Sequence, residues 1–272
     1  MDPTVKGADT TLESIEFLAR SKNRVTVLEA LADGPMQRYE IEASTGVSRP
    51  TLSRILEDFT ERGWVRSSDH RYELTHLGAF VTTEFTAFHD RMRISRRLAD
   101  IVKWFPDESF DFDLACLNSA EVIRAHKTDT SAPTTHIVRR LEAADRVRII
   151  TYTILPEAFR VCGEKTVEGD LELEVVFDPE TVATLAADPR NIEQATEMID
   201  TGRVALYASE DPIPYVLVIP DDEGVLIYLT GPDGVTRAVI DSDDEVVRSW
   251  AMDEFEVYRS KANPLEPSHF AT

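Results

Sequence analysis

The stretch from residue 40 to residue 65, EIEASTGVSRPTLSRILEDFTERGWV, constrains the fold more than any other part of this chain. A short helical pattern at residues 37–45 is followed by Gly46, at the point where a tight turn between helices needs a positive φ. Ser48 then stands where a capping residue is expected, before a second helix predicted from Arg49 to about Arg62. That helix carries a continuous apolar stripe formed by Leu52, Ile55, Leu56 and Phe59. The pattern predicts a helix-turn-helix.

The segments on either side of this motif extend the prediction to a whole domain. Residues 64–67 and 71–74 predict two short strands around a polar turn. Apolar residues recur at helical spacing from residue 12 to residue 31, and the glycine and proline of ADGP at residues 32–35 end that pattern. Helices followed by a β-ribbon predict an N-terminal winged helix-turn-helix domain over residues 1–74.

A long helix is predicted after this domain. Apolar residues spaced mostly by three or four run through residues 75–105, and Pro106 is expected to end the helix. Residues 106–113 form an acidic link, and residues 119–133 are polar, with a helix at their start as one interpretation. We therefore predict a linking helix and an acidic connector over residues 75–133.

The remaining residues, 134–272, alternate strand and helix patterns. Residues 146–153 and 171–177 predict strands, each followed by a helix that begins at a proline, Pro156 or Pro179. A helical stretch is predicted at about residues 190–201, and it is followed by the strands RVALYA, PYVLVI, VLIYLT and VTRAVI. The turns PDDEG and PDG link the last three of these strands, and a final helix is predicted from about Ser242 to Lys261. The order predicts a C-terminal α/β domain with a mixed sheet, so the whole chain is expected to be a two-domain α+β/α/β protein.

The charge of the chain is distributed unevenly. The formal net charge is −21, yet residues 21–97 hold 12 basic and 11 acidic side chains, whereas residues 98–272 hold 15 basic and 35 acidic ones. The acidic residues are scattered through apolar sequence, which does not suit a disordered acidic tail. Lysine is scarce beside arginine. Our hypothesis is that the protein is adapted to a high-salt, halophilic interior, where such a charge causes little self-repulsion.

Composition also bears on the compartment. The chain has no long apolar run for a membrane span, and its N-terminus, MDPTVKGADT, lacks the pattern of a secretory signal. Its two cysteines, Cys116 and Cys162, cannot make a disulfide framework. We expect a cytoplasmic protein in a reducing environment, without membrane contact.

The second helix of the motif carries the side chains that a recognition helix needs. Arginine can fork onto guanine, and serine and threonine reach phosphates or base edges. On this basis the predicted DNA contacts of that helix are Ser48, Arg49, Thr51, Ser53 and Arg54. His70 and Arg71 in the ribbon are predicted to touch the backbone or the adjacent minor groove. The competing interpretation is a winged helix used only for protein contacts, with arginines that are merely solvated.

Two parts of the sequence resemble known archaeal regulators. SIEFLARSKNRVTVLEALADGP and GVSRPTLSRILEDFTERGWV resemble haloarchaeal winged-helix transcriptional regulators of the broad ArsR/MarR type. ADRVRIITYTILPEAF, TGRVALYASEDPIPYVLVIPDDEGVLI and SDDEVVRSWAMDEFEVYR resemble the sensor domain of archaeal methanogenesis and filament regulators. The resemblance implies a DNA-binding transcription factor with an α/β effector domain, and it supplies no catalytic residues.

An enzyme is the alternative interpretation of the second half of the chain. G-x-S-x-G, Walker and G-x-G-x-x-G motifs are absent from the sequence. HKTD at residues 126–129 brings together the residue types of a phosphodiesterase site, but neighbours on a strand face opposite ways, which favours a polar loop. The potential metal ligands Cys116, His126, His136 and Cys162 lack paired short spacing. We predict no catalytic residues, no metal and no cofactor, with oxidant sensing by Cys162 as an alternative.

The predicted sheet suggests where an effector could bind. Ligands of open α/β sheets bind beyond the carboxyl ends of strands. Tyr152, Thr153 and Ile154 follow the first such strand, and Asp178 follows the second. The acidic surroundings favour a neutral or cationic ligand, and the alternative is that these are ordinary loop and capping residues.

Together these patterns predict a dimeric transcriptional regulator. Its expected partners are double-stranded DNA, a second copy of the chain bound through the helix of residues 75–105, and a small-molecule effector of unknown identity. Two alternatives stay open: an adaptor whose winged helix contacts the transcription machinery, and an enzyme with a regulatory winged helix.

Overall fold

The computed structural model describes residues 3–105, 110–231 and 234–266. The chain divides into two compact units, residues 1–93 and residues 94–272. Within the described ranges, no helix combines the length and the apolar character needed to cross a membrane.

The N-terminal unit consists of helices and a small antiparallel sheet. Its elements are α1 (Pro3–Ala19), α2 (Lys22–Ala32), β1 (Met36–Gln37), α3 (Arg38–Thr45), α4 (Arg49–Glu61), β2 (Val65–Ser68), β3 (Arg71–Leu74) and α5 (His76–Leu98), the last of which continues into the second unit. Strand β3 pairs with both β1 and β2. The helical pattern of residues 12–31 is thus divided between α1 and α2, whereas α3, α4 and the hairpin form close to where the sequence places them.

The turn between α3 and α4 follows from the residues in it. Gly46 adopts φ 68°, and its N–H donates to the carbonyl of Glu42 at 3.0 Å, which closes the end of α3. Ser48 occupies the N-cap position of α4, but its side chain does not cap the helix; its hydroxyl donates to the hydroxyl of Thr51 at 3.0 Å. The predicted N-cap position of Ser48 is therefore confirmed, but its hydroxyl bonds to Thr51 and not to the backbone N–H groups of the helix.

The apolar stripe of α4 is the centre of the core of this unit. Leu52, Ile55, Leu56 and Phe59 are all buried. Phe17, Phe59 and Trp64 pack ring against ring, with centroids 5.8 to 6.2 Å apart. These contacts hold the apolar face of α4 in the core of the unit, so the opposite face of the helix is exposed to solvent.

The predicted long helix is shorter than its sequence pattern. We expected it to reach residue 105, but α5 ends at Leu98, and a short 3₁₀ helix, Val102–Trp104, follows. The N–H of Ile101 donates to the carbonyl of Leu98 at 2.9 Å, so the tighter i to i+3 bond replaces the α-helical one. Ile101 is fully buried in the C-terminal core, which favours this turn over a continued straight helix. Pro106, predicted to end the helix, lies outside the described residues, as does part of the acidic link of residues 106–113.

The described residues of the C-terminal unit form an eight-stranded mixed sheet, which confirms the predicted sheet type. Its order is β11-β7-β6-β5-β8-β9-β10-β4, with β5, β6 and β7 parallel and the other neighbouring pairs antiparallel. The strands are β4 (Glu121–Arg124), β5 (Arg146–Thr151), β6 (Glu172–Phe177), β7 (Val204–Ala208), β8 (Val216–Pro220), β9 (Val225–Thr230), β10 (Thr236–Ser242) and β11 (Asn263–Pro264). The helices are α6 (Ala132–Ala143), α7 (Pro156–Glu168), α8 (Pro179–Ala187), α9 (Pro189–Asp200) and α10 (Glu245–Lys261).

Apolar cores lie on both faces of this sheet. Side chains of α6, α7 and α9 pack with alternate strand residues such as Val147 and Val175 on one face. Side chains of α10 and of the end of α5 pack with Ile150 and Val176 on the other face. Neighbouring residues of β5 and β6 therefore point to opposite cores, as expected for a sheet covered on both faces.

Some elements differ from the sequence prediction. The interpretation of a helix at the start of residues 119–133 is wrong, because Glu121–Arg124 pairs as a strand with β10. Helix α6 begins inside the segment predicted as a connector, and the edge strand β11 was not predicted. The PDG turn lies partly outside the described residues, at positions 232 and 233.

Candidate nucleic-acid interface and ligand cavity

The outward face of α4 presents the predicted arginines. Arg49 and Arg54 are exposed, and in the part of the chain that the structure describes neither forms an ion pair. The other predicted side chains bond locally. Ser53 donates its hydroxyl to the carbonyl of Arg49 at 2.9 Å, and Thr51 accepts from Ser48. The guanidinium groups of Arg49 and Arg54 are therefore the hydrogen-bond donors that this face of α4 presents to solvent.

The charge of α4 changes along its length. Its N-terminal half exposes Arg49 and Arg54, whereas its C-terminal half exposes Glu57 and Glu61. A phosphate-rich partner would be attracted by the first half and repelled by the second. Any DNA contact of α4 is therefore confined by charge to its N-terminal half.

The hairpin of β2 and β3 places its two predicted residues differently. His70 is exposed in the turn, where Asp69 and His70 adopt φ of 49° and 61° without the help of a glycine. The Arg71 guanidinium donates to the carbonyl of Pro35 at 2.9 Å and lies 3.9 Å from a carboxylate oxygen of Glu40. His70 is therefore accessible to a partner, whereas the Arg71 guanidinium is already bonded to Pro35, just before β1, and lies near Glu40 of α3.

Arg38 joins these pieces, although sequence reasoning did not select it. Its Nη1 donates to the hydroxyl of Ser53 on α4 at 3.2 Å, and its Nη2 donates to the hydroxyl of Tyr72 on β3 at 2.7 Å. One half-buried guanidinium thus spans α3, α4 and the hairpin. The sequence offers no local signal for this role, because the partners of Arg38 are 15 and 34 residues away.

The predicted effector residues separate into two groups. Thr153 and Ile154 line a cavity in the C-terminal unit. The hydroxyl of Tyr152 instead bonds with the hydroxyl of Thr230. Asp178 is buried and accepts from the N–H groups of Glu180 at 2.7 Å, Thr181 and Ile213, so it caps α8 and fixes a loop.

The cavity lies between α7, α9 and the sheet, and measures about 60 Å³. The lining side chains are almost all apolar, and most of them are buried, whereas the lining residues between positions 153 and 159 are half-buried. Burial raises the pKa of the Cys162 thiol to about 12, and burial raises the pKa of Tyr228 well above its ordinary value, with the nearby Cys162 adding to the effect. Both groups are neutral at physiological pH, so they give the cavity no charge.

The alternative sites proposed from sequence are not assembled. His126 and Lys127 are exposed, and the backbones of His126 and Asp129 bond to each other in a tight turn. His136 is buried against Asp241, with 2.7 Å between Nε2 and the carboxylate. Across the described ranges, no group of His, Cys, Asp and Glu side chains is arranged to hold a metal ion. The burial and the raised pKa of Cys162 also argue against a reactive thiolate there.

Comparison with known families agrees with the sequence resemblance. Residues 12–97 match the HVO_A0261 N-terminal domain, and residues 130–261 match the middle domain of the methanogenesis regulatory protein FilR1. Each match covers less than half of the chain, and together they cover most of it. The first match spans α4 and the hairpin, and the second spans strands β5 to β10 and the cavity.

The similar solved structures include an archaeal chromatin protein and a phospholipase D family member. TrmBL2, described as an archaeal chromatin protein with a novel mode of DNA binding, is 15% identical, with 94% of this chain and 99% of that chain covered and a TM-score of 0.40. Nuc of Salmonella typhimurium, a phospholipase D family member, is 11% identical over 54% of this chain and 97% of its own, with a TM-score of 0.43. NucT of Helicobacter pylori is 13% identical over 54% and 98%, with a TM-score of 0.39. No curated protein matches this chain.

Proposed function

We propose that this protein is a sequence-specific, double-stranded-DNA-binding transcriptional regulator whose reading element is α4. The observation that carries the proposal is the exposure of Arg49 and Arg54, without ion pairs among the described residues, on the N-terminal half of that helix. The family relationship to a methanogenesis regulatory protein supports a regulatory function.

In this proposal the N-terminal unit acts as a winged helix-turn-helix domain. The N-terminal half of α4 enters the major groove, and the Arg49 and Arg54 guanidinium groups donate to guanine edges or phosphates. The hairpin lies over the adjacent backbone, with His70 at its tip. Arg71 supports the hairpin from the inside, in keeping with its bond to the carbonyl of Pro35.

The test is DNA binding by arginine variants measured by fluorescence anisotropy on the protein's best genomic site. Arg49→Ala and Arg54→Ala should each weaken specific binding by about 1–3 kcal/mol and relax the base preference at one position. Arg20→Ala is the matched control, because it removes the same charge from an exposed site on the end of α1. If the Arg49/Arg54 double variant binds like the control, α4 is not the reader, and the adaptor interpretation is favoured.

We further propose that the regulator is a homodimer joined through α5. The exposed fractions of its apolar side chains are 53% for Leu77, 63% for Phe80, 51% for Phe88 and 48% for Met92. A row of large exposed apolar groups along one helix is typical of a surface that another protein covers. A two-fold partner is the simplest occupant, since it would place two recognition helices on two half-sites.

A further inference from the structure

The cavity of the C-terminal unit has walls that the fold holds apart. Alternate residues of several strands, among them Val175 and Leu206, form its floor, and Cys162 of α7 and Met198 of α9 lie opposite. Gln194 Nε2 donates to the carbonyl of Phe159 at 2.7 Å, and a Cβ on Gly163 would lie 2.2 Å from that same nitrogen. Because Gly163 has no side chain, α9 can approach α7 closely. The cavity therefore lies beside a tight helix contact and does not result from loose packing of the two helices.

The chemistry of the lining excludes most ligand classes. Among the described residues around the cavity there is no carboxylate, guanidinium or ammonium group. Thr151 accepts from the N–H of Thr153 and donates to its carbonyl, so these polar groups already satisfy one another. The remaining polar side-chain groups of the lining are the Thr153 hydroxyl, the neutral Cys162 thiol and the Tyr228 hydroxyl. A charged ligand would lose its hydration here without a partner.

The dimensions limit the ligand further. One water-sized probe occupies about 10–15 Å³, and the cavity measures about 60 Å³. It therefore has room for about four to six waters. An engineered apolar cavity that accepts benzene measures about 150 Å³, so a ligand held inside this cavity is smaller than benzene. Water itself is held poorly in such a place, because a buried water needs several polar partners.

We propose that this cavity binds a small, uncharged, mainly apolar molecule of about three or four non-hydrogen atoms, with any hydroxyl group placed near Cys162 and Tyr228. Its lining residues between positions 153 and 159 are half-buried, which makes this side the route of entry in our proposal. This inference concerns ligand binding alone, and it stands or falls independently of DNA binding by α4.

Methionine methyl NMR on the full chain tests the proposal. Met198 lines the cavity, whereas Met36 lies in the other unit and Met252 packs on the opposite face of the sheet, so both serve as internal references. Xenon and 2-propanol are the probes, and acetate is a charged molecule of similar size to 2-propanol. We expect xenon and 2-propanol to shift the Met198 methyl resonance saturably, with the reference methyls and the acetate titration unchanged.

Variants that fill the cavity provide the second arm. Cys162→Leu and Ala158→Leu both add volume at the lining, and either should abolish the xenon shift. Val167→Leu, on an exposed position of the same helix, should bind as wild type does. A wild-type Met198 shift that is linear, shared by all methyls or equal for acetate would overturn the proposal, as would full retention of the shift in a filled variant that is folded.

Discussion

Cys162 shows how burial alone sets the chemistry of a side chain. Its pKa is raised to about 12 from the ordinary 9.0, chiefly because the buried thiolate would lack hydration. The folded protein therefore keeps this proton at a pH where the unfolded chain releases it. The resulting stability is complete below about pH 9 and is lost as the pH rises towards 12. Tyr228 acts in the same direction, since burial also raises its pKa.

We predict that the free energy of unfolding falls with rising pH above 9, and falls less in Cys162→Val. At pH 10, one unit above the ordinary pKa of 9.0, the thiol accounts for a loss of about 1.4 kcal/mol, since one pKa unit corresponds to about 1.4 kcal/mol. Urea unfolding of both proteins at pH 8 and pH 10 measures the difference. Parallel losses in the two proteins would show that Cys162 is ionised as easily in the fold as in the unfolded chain.

Arg38 makes a second prediction at this scale, which rests on the proposed DNA binding. Because its guanidinium bonds both Ser53 on α4 and Tyr72 on the hairpin, its loss should loosen the two contact elements relative to each other. Arg38→Ala should weaken DNA binding by about 1–2 kcal/mol while the unit stays folded. Tyr72→Phe removes only one of the two bonds and should cost less. Equal anisotropy titrations for Arg38→Ala and wild type would rule out this positioning role.

Among the elements, helix α5 carries the dimer prediction. Replacing Phe80 and Phe88 with glutamate places charges in the middle of its exposed apolar row, where a second copy would have to bury them unpaired. We expect the double variant to sediment as a monomer under conditions where wild type is a dimer. Val167→Glu with Val257→Glu is the control, because it changes two exposed valines elsewhere by the same charge. A monomeric wild type, or a dimeric Phe80/Phe88 variant, would remove α5 as the interface.

The elements also show what the sequence could predict. The stripe of α4 and the φ of Gly46 are local consequences of spacing and steric freedom, and both are confirmed. β4 was missed because its strand character depends on pairing with β10, more than a hundred positions further along the chain. The end of α5 was predicted too far along the chain because Ile101 packs in the C-terminal core, most of whose residues are distant from it in sequence. The role of Arg38 was missed for the same reason, since its partners are distant in sequence. Of the cavity lining, the sequence predicted only Thr153 and Ile154, because the other lining residues are brought to them by the fold.

At the scale of the whole molecule, the uneven charge governs the response to salt. An ordinary basic DNA-binding protein gains affinity by releasing counterions, so its binding falls steeply as salt rises. Here residues 21–97 are nearly neutral, and residues 98–272 carry 35 acidic against 15 basic side chains. The acidic part should repel phosphate over a Debye length of about 30 Å at 0.01 M salt, which shrinks to about 3 Å at 1 M. Repulsion among its own carboxylates should weaken over the same range.

We therefore predict that added salt stabilises the fold and leaves specific DNA binding largely intact. Thermal unfolding should shift to higher temperature between about 0.1 and 3 M potassium chloride, as repulsion among carboxylates is screened. Over that range the slope of log affinity against log salt should be shallow, because lost counterion release is offset by weaker repulsion of the phosphates. Anisotropy titrations at each salt concentration, paired with the melts, give both quantities. A constant melting temperature together with the steep loss of affinity typical of a basic repressor would mean that the acidic surface is no adaptation to salt.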